Sequence, residues 1–339
     1  MGMCNLIQQS YSFVSRYSLL FMLISVIVFS SQSVAQSLSE QQLRHKIAQF
    51  QVLKNDILSF RDVSDFNDRL QAYDDRDQAI IIHLWLDTLS RQPQLNEALR
   101  QWIETQTANQ QRVMATLLDH PEHALPLINI QDQAKATLKL LTISQLQGDF
   151  STLWQQGQVV WADWLNNKSL HYAAFIQWLK TQSSQTNEQV IQQLEGDHAW
   201  SLLPDNQVYF ILLQSNPSAQ LAVQLLSQST DEFTYQFLHH MPAFMDEFDG
   251  LSALEVALQK SELNSQSLFV LAAHYTNNPK AQAMIEKAFD SPVQKWHALA
   301  VIDKINDRHF RAKLHQRFET QQTAFAKTAM QVLAKGDAQ

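Results

Sequence analysis

Four short turns in the last third of the chain recur at nearly even steps: Asn216-Pro217, Asp249-Gly250, Asn278-Pro279 and Asn306-Asp307. Their first residues lie 33, 29 and 28 positions apart, and apolar residues at helical spacing flank each turn. A turn returning at that interval between helical segments is the signature of stacked helical hairpins. Each segment is too short to persist as a helix alone in water. Each also carries one apolar stripe that has to be covered by a neighbour. Stacking the hairpins merges those stripes into one continuous core.

The stripes can be read residue by residue. Val208, Ile211 and Leu212 lead into the first turn, and Leu221, Ala222, Leu225 and Leu226 follow it. Phe233, Phe237, Met241 and Phe244 precede the second, with Leu251, Leu254 and Leu258 after it. Leu268, Leu271, Ala272 and Tyr275 precede the third, and Ala281, Met284, Ile285, Ala288 and Phe289 come next. The fourth joins Trp296, Leu299, Ala300 and Ile302 to Phe310, Leu314 and Phe318. Leu225, Leu254, Ile285 and Leu314 are expected on the inner faces of the second helices. Helical spacing also marks Leu43, Ile47, Phe50 and Ile57, with Ser37 or Ser39 as the cap. It recurs at Ile80, Ile81, Leu84 and Trp85, at Leu138, Leu141 and Gln145, and at Phe175, Trp178 and Leu179.

This pattern, over about Asn206 to Lys335 with a further unit around Leu117 to Ile130, resembles the HEAT-repeat class of α-solenoid proteins. A fragment at Leu141 to Val160 resembles a tetratricopeptide unit, with Gly148-Asp149-Phe150 in the place of its hairpin turn. Neither resemblance is complete. The regular Asp, Val and Arg positions of HEAT units are not evident, Pro242 interrupts the second unit, and the tetratricopeptide-like fragment does not recur. Both imply an all-α, right-handed solenoid of stacked antiparallel hairpins with a concave face that binds a partner. Neither implies an activity.

Residues 1–35 read as a secretory signal peptide and not as part of the fold. Arg16 is their one charge, Leu19 to Phe29 is apolar, and Ser33-Val34-Ala35 places small residues where a signal peptidase cleaves. The run is short for a bilayer span of roughly 20 residues. Cleavage after Ala35 and a periplasmic location are therefore expected. Cys4 precedes the apolar run, so the mature chain has no cysteine and no disulfide to hold it. Pro121 and Pro126 mark a break, which divides the remainder into an N-terminal helical region, 36–128, and a repeat array, 129–339. Thr181 to Asn187 is a loop within the array. Five glycines and little strand-like alternation in the mature chain argue against any substantial sheet.

Chemistry is sparse. The scattered glycines form no phosphate-binding loop and no dinucleotide fingerprint, and no G-x-S-x-G elbow or H-E-x-x-H motif occurs. No cofactor is expected, and nothing marks a catalytic site. The mature chain keeps 24 basic and 33 acidic residues, a net charge of −9, which argues against nucleic acid as a partner. His239 and His240, next to Met241, are the metal-ligating candidates, because histidine with methionine suits copper. Met241 and Met245 at i, i+4 fit a core stripe equally well. In His120-Pro121-Glu122-His123, proline marks a helix start at which histidines are ordinary.

Trp154, Trp161, Trp164, Tyr172, Phe175 and Trp178 form an aromatic group. It reads either as core or as a surface for sugar rings or protein. Lys304, Arg308, Arg311, Lys313 and Arg317 form a basic run on the last clear hairpin. The reading that results is a non-catalytic scaffold that binds an unidentified protein, with Trp161, Trp164, Arg311 and Arg317 as exposed anchors. The alternatives are a carbohydrate-binding accessory of the cell wall, with peptidoglycan as partner, and a periplasmic copper or zinc protein.

Overall fold

The structure is a computed structural model that describes residues 38–52, 63–92, 95–117, 120–166 and 169–336. Residues 1–35, read from the sequence as a signal peptide, lie outside them, as do Ser37 and Ile57. Most of the described chain is helical, and it divides into two compact units, Met1–Leu146 and Gln147–Gln339. The division falls inside one long helix, next to Gly148. Among the described residues, no helix is long and apolar enough to cross a membrane.

The first unit combines α1 (Glu40–Val52), α2 (Val63–Leu70), α3 (Asp75–Leu89) and α4 (Glu97–Gln106) with three strands. Helix α1 starts at Ser39, whose Oγ accepts from Gln42 N–H at 3.2 Å while Gln42 Oε1 accepts from Ser39 N–H at 2.9 Å. That reciprocal pair is a capping box. Helix α3 is apolar around most of its circumference, from Ala79 through Ile80, Ile81, Ile82, Leu84, Trp85 and Leu86, and all of these are buried. A helix of that kind has to be the centre of its core. Phe66 stacks on Trp85 at 3.7 Å, and Trp102 meets Phe66 edge-on at 5.4 Å.

The sheet corrects the expectation of little or no strand. Strands β1 (Leu38–Ser39) and β2 (Arg112–Leu117) run parallel, and β2 pairs antiparallel with β3 (His120–Asn129). Val113, Ala115 and Ile128 face the core. The prolines hid this hairpin. Pro126 sits beside a register shift, with Val113 opposite Ile128 and Met114 opposite Pro126, so Leu127 is the extra residue of a bulge on an edge strand. Edge strands and bulges are where a sheet tolerates proline. His120-Pro121-Glu122-His123 accordingly opens a strand and not a helix, and the segment from Leu117 to Ile130 is no helical repeat.

Helix α5 (Ile130–Gln156) begins in the first unit and ends in the second. Gly148, Asp149 and Phe150 lie within it, so the tetratricopeptide-like turn is absent. The helix stops at Gly157, whose φ of 65° only glycine adopts freely. There Gln158 N–H donates to Leu153 O at 2.9 Å and Gly157 N–H to Trp154 O at 3.1 Å, which is a Schellman closure.

The second unit continues with α6 (Trp161–Trp164), α7 (Leu170–Lys180) and α8 (Ser184–Gly196). Four helix pairs follow: α9 (Gln207–Ser215) with α10 (Ala219–Ser227), α11 (Glu232–His240) with α12 (Glu247–Ala257), α13 (Asn264–His274) with α14 (Pro279–Asp290), and α15 (Lys295–Ala300) with α16 (Arg308–Glu319). The chain closes with α17 (Ala324–Gly336). Contacts recur in two rows. Helices α7, α9, α11, α13 and α15 touch in succession, and so do α10, α12 and α14. Leu225, Leu254, Ile285 and Leu314 are fully buried on the second helices, as their spacing requires.

The second helices start at equivalent caps. The side chains of Ser218, Asp246, Asn278 and Asp307 accept from Leu221, Asp249, Lys280 and Phe310 N–H, at 2.7 to 3.2 Å. Three of the four turns read from the sequence coincide with these starts. The second does not, because Asp249-Gly250 lies in the first turn of α12. The chain reverses earlier, in a 3-10 turn over Met241–Ala243 with Pro242 near its start. Gly250 has a packing reason instead. A Cβ there would lie 2.7 Å from the Tyr275 hydroxyl oxygen and 3.3 Å from its Cζ. That hydroxyl is buried without a hydrogen-bond partner, and its pKa is pushed up to about 12, by burial and then by Glu247 and Asp246.

Leu254→Ala should lower the stability of the second unit by about 2–5 kcal/mol, the range for a fully buried leucine. Urea denaturation measures it, and a loss below about half a kcal/mol would mean that this face is not closely packed. Gly250→Ala should destabilise by about 1–3 kcal/mol through overpacking, although alanine in a helix is worth up to about 1 kcal/mol over glycine. In a Tyr275→Phe background the close oxygen is gone, so the same change should become nearly neutral. A double-mutant cycle with no coupling would contradict the contact.

Candidate functional site

The candidate site is built on the segment between α8 and α9. His198, at φ 53°, is the one non-glycine with positive φ among the described residues. Such a conformation costs about 1–2 kcal/mol, so surrounding contacts have to hold it. Asp197 Oδ2 accepts from Trp161 Nε1 at 3.0 Å. A 3-10 turn, Ala199–Leu202, then brings Trp200 onto Tyr209 of α9, with ring centroids 4.5 Å apart and planes within 15°. Leu203 is extended, as the residue before Pro204 should be.

Asp205 and Asn206 tie this turn to its neighbours. Asp205 Oδ1 accepts from the Tyr172 hydroxyl at 2.5 Å and from Gln207 N–H at 3.1 Å. Burial, reinforced by donation to Asp205, holds the Tyr172 hydroxyl in its protonated form far above the ordinary tyrosine range. Asn206 is almost fully buried. Its N–H donates to Asp231 Oδ2 at 2.8 Å, and its Nδ2 donates to Ser229 O at 2.8 Å and Thr234 Oγ1 at 2.9 Å. Asp231 in turn caps α11 in a capping box with Thr234.

A cavity of about 270 Å³ opens between these two chain reversals. Trp200, Tyr209 and Phe233 give it ring surface, Asp205, Asp231 and Glu232 give it carboxylates, and Gln228 and Asn206 give it amides. No Lys, Arg or His is among its lining residues. The Tyr209 hydroxyl pKa is pushed up to about 12 by burial, against a smaller opposing effect of its hydrogen bond with Gln228. Asp205 and Asp231 are engaged in caps and hydrogen bonds, whereas Glu232 is exposed at the start of α11.

The residues read from the sequence as exposed anchors lie elsewhere, and three of the four are interior. Trp161 and Trp164 are 5% and 4% exposed. They do not share a helix with Trp154, because the chain breaks at Gly157, yet all three tryptophans gather around Phe150, which is fully buried. Trp178 and Phe175 complete that cluster, so the aromatic group is core. Arg311 is 8% exposed; its Nη2 donates to Leu333 O at 2.7 Å and its Nη1 to Ile305 O at 3.4 Å. It fastens α17 to α16. Arg317 is about three-quarters covered, and its Nη1 donates to Glu286 O at 3.4 Å while Nη2 pairs with Asp290. Lys313 meets Glu286 at 2.6 Å and Lys304 meets Asp303 at 3.1 Å, so much of the basic run is paired.

His239 and His240 are exposed at the end of α11 with ring centroids 4.8 Å apart, and Met241 and Met245 are buried. The methionines are therefore core residues. Among the described residues, no three His, Cys, Asp or Glu side chains come together as a metal site. The cavity escaped sequence reading because Trp200, Tyr209 and Glu232 come from a 3-10 turn and from the first turns of α9 and α11, and share no motif. No protein family, curated protein or solved structure matches this chain.

Arg311→Ala should act on stability and not on binding. It strands two carbonyl oxygens that the guanidinium satisfies, and a charged hydrogen bond contributes about 1.5–3 kcal/mol. Arg311→Lys should recover only part, since one ammonium cannot reproduce the fork. Thermal melting separates the two outcomes: an unchanged transition in Arg311→Ala would remove the structural role.

Proposed function

We propose that this chain is a periplasmic helical-repeat protein that acts as a non-catalytic, protein-binding scaffold. The observation that carries this reading is the second unit: helix pairs whose first and second members touch in two successive rows. We read that pattern as a right-handed, HEAT-like solenoid of antiparallel hairpins, an architecture that presents an extended concave binding surface. The apolar run before Ser33-Val34-Ala35 supports export and cleavage after Ala35.

Large side chains left outside the core support a binding role. Phe248 is 76% and Trp296 is 56% exposed. Trp296 lies edge-on to Phe325 at 5.1 Å, and Lys295 Nζ stands 5.7 Å from its ring centre. Rigid aromatic groups of this kind dominate interface energies. They replace Trp161, Trp164 and Arg311 as the anchors of the scaffold reading. Packing of the Trp161 cluster removes the observation that favoured a cell-wall sugar surface.

Affinity capture from the periplasm with mass spectrometry should return a protein that binds in stoichiometric amount. Trp296→Ala or Phe248→Ala should then weaken that complex by at least about 1–2 kcal/mol while melting stays unchanged. Turnover of a small substrate that a single Asp, Glu or His change abolishes would replace the scaffold reading with an enzyme.

A further inference from the structure

We propose that the cavity beside Trp200 binds a positively charged nitrogen group, an ammonium or guanidinium carried on a short apolar stem. The inference deepens the binding-protein reading and rests on it: the group would be the end of a lysine or arginine side chain on the partner, or a free amine of the same chemistry.

Three observations converge. The lining has three carboxylates and no basic side chain. Its ring surface, Trp200 stacked on Tyr209 with Phe233 beside them, suits a cation and its methylene stem at once. The volume, about 270 Å³, fits a side-chain-sized group and is small for a folded element.

The opposing effect has to be weighed. The cavity adjoins the starts of α9 and α11, and a helix N-terminus carries roughly half a positive charge, which favours anions. Here those N–H groups are already taken. Asp231 accepts from Thr234 N–H and Asn206 N–H, and Asp205 accepts from Gln207 N–H. A whole carboxylate covers each half charge, and Lys260, whose ammonium donates to the Gln228 carbonyl beside the lining, offsets what remains, so the net negative charge at the cavity is that of Glu232. Asp205 and Asp231 therefore cover the helix ends and are not required as direct ligands. Glu232, exposed at the rim, supplies the direct contact.

The test uses the purified full chain and isothermal calorimetry with four probes: N-acetyl-arginine methylamide, a nonapeptide with one central arginine, the same peptide with neutral citrulline in its place, and N-acetylglucosamine. Saturable binding of an arginine probe is expected, weakened by added salt because the charges are partly exposed. Citrulline and the sugar should not compete. Glu232→Gln, at unchanged melting temperature, should weaken binding about tenfold, as expected for loss of one charge-assisted contact. The free arginine derivative binding as tightly as the peptide assigns a small amine as ligand; a tighter peptide assigns a partner chain.

Equal affinity for arginine and citrulline, binding of the sugar in preference, an unchanged affinity in Glu232→Gln, or no saturable binding of either arginine probe would each overturn the proposal. A captured protein that binds equally well to Glu232→Gln would leave the scaffold reading standing and remove only the cation site. Arginine-probe binding with no captured protein would do the reverse.

Discussion

No helix from α9 to α16 is longer than 12 residues, and helices of that length do not persist alone in water. Everything else in the second unit follows from that constraint. Each helix holds only because its apolar face is covered by the next one, which is why Leu225, Leu254, Ile285 and Leu314 are each wholly withdrawn from solvent. Burying one such side chain is worth about 1.5–3 kcal/mol, and a stack multiplies this without any single large core. With a single cysteine, the chain can form no internal disulfide to hold its short helices together.

Apolar faces give cohesion but little register, since a leucine accepts many neighbours. Register comes from polar side chains that reach into the neighbouring unit. Asn187 donates to Ser215 Oγ, Asn206 to Ser229 and Thr234, Ala219 N–H to Asp249, Lys260 to Gln228 O, Asn278 to Glu247, Gln294 to Leu258 O, and Arg317 to Glu286 O. These partners lie 23 to 36 residues apart, which is the repeat interval. A buried amide that loses its partner costs about 1–3 kcal/mol, so a stack shifted by one turn of helix would be penalised at several of these points together.

Much of this architecture is legible in the sequence because capping chemistry is local. Ser218, Asn278 and Asp307 announce helix starts on their own, and the stripes between them carry the 3.6-residue period. Gly250 misleads because glycine answers two demands, a turn or a close approach, and only the position of Tyr275 tells which applies. The sheet of the first unit is missed for a related reason. Val113 and Ala115 alternate over too few residues to stand out, and Pro126 looks like a break until its bulge is seen. The aromatic cluster and Arg311 show the limit for sites. Residue type suggests a surface anchor, whereas burial, which no local pattern encodes, makes them core. The cavity is the opposite case: its members lie about one repeat apart, so no motif could announce them.

The clamp of Arg311 on the Leu333 carbonyl changes how such a stack would come apart. In an array where each unit touches mainly its neighbours, a helix held through few contacts frays before the rest. A guanidinium rooted in α16 and closed over α17 ties the two into one cooperative unit. Amide protons in the two helices should then exchange at one common rate, so that the pair opens together, as a lid fastened to its box.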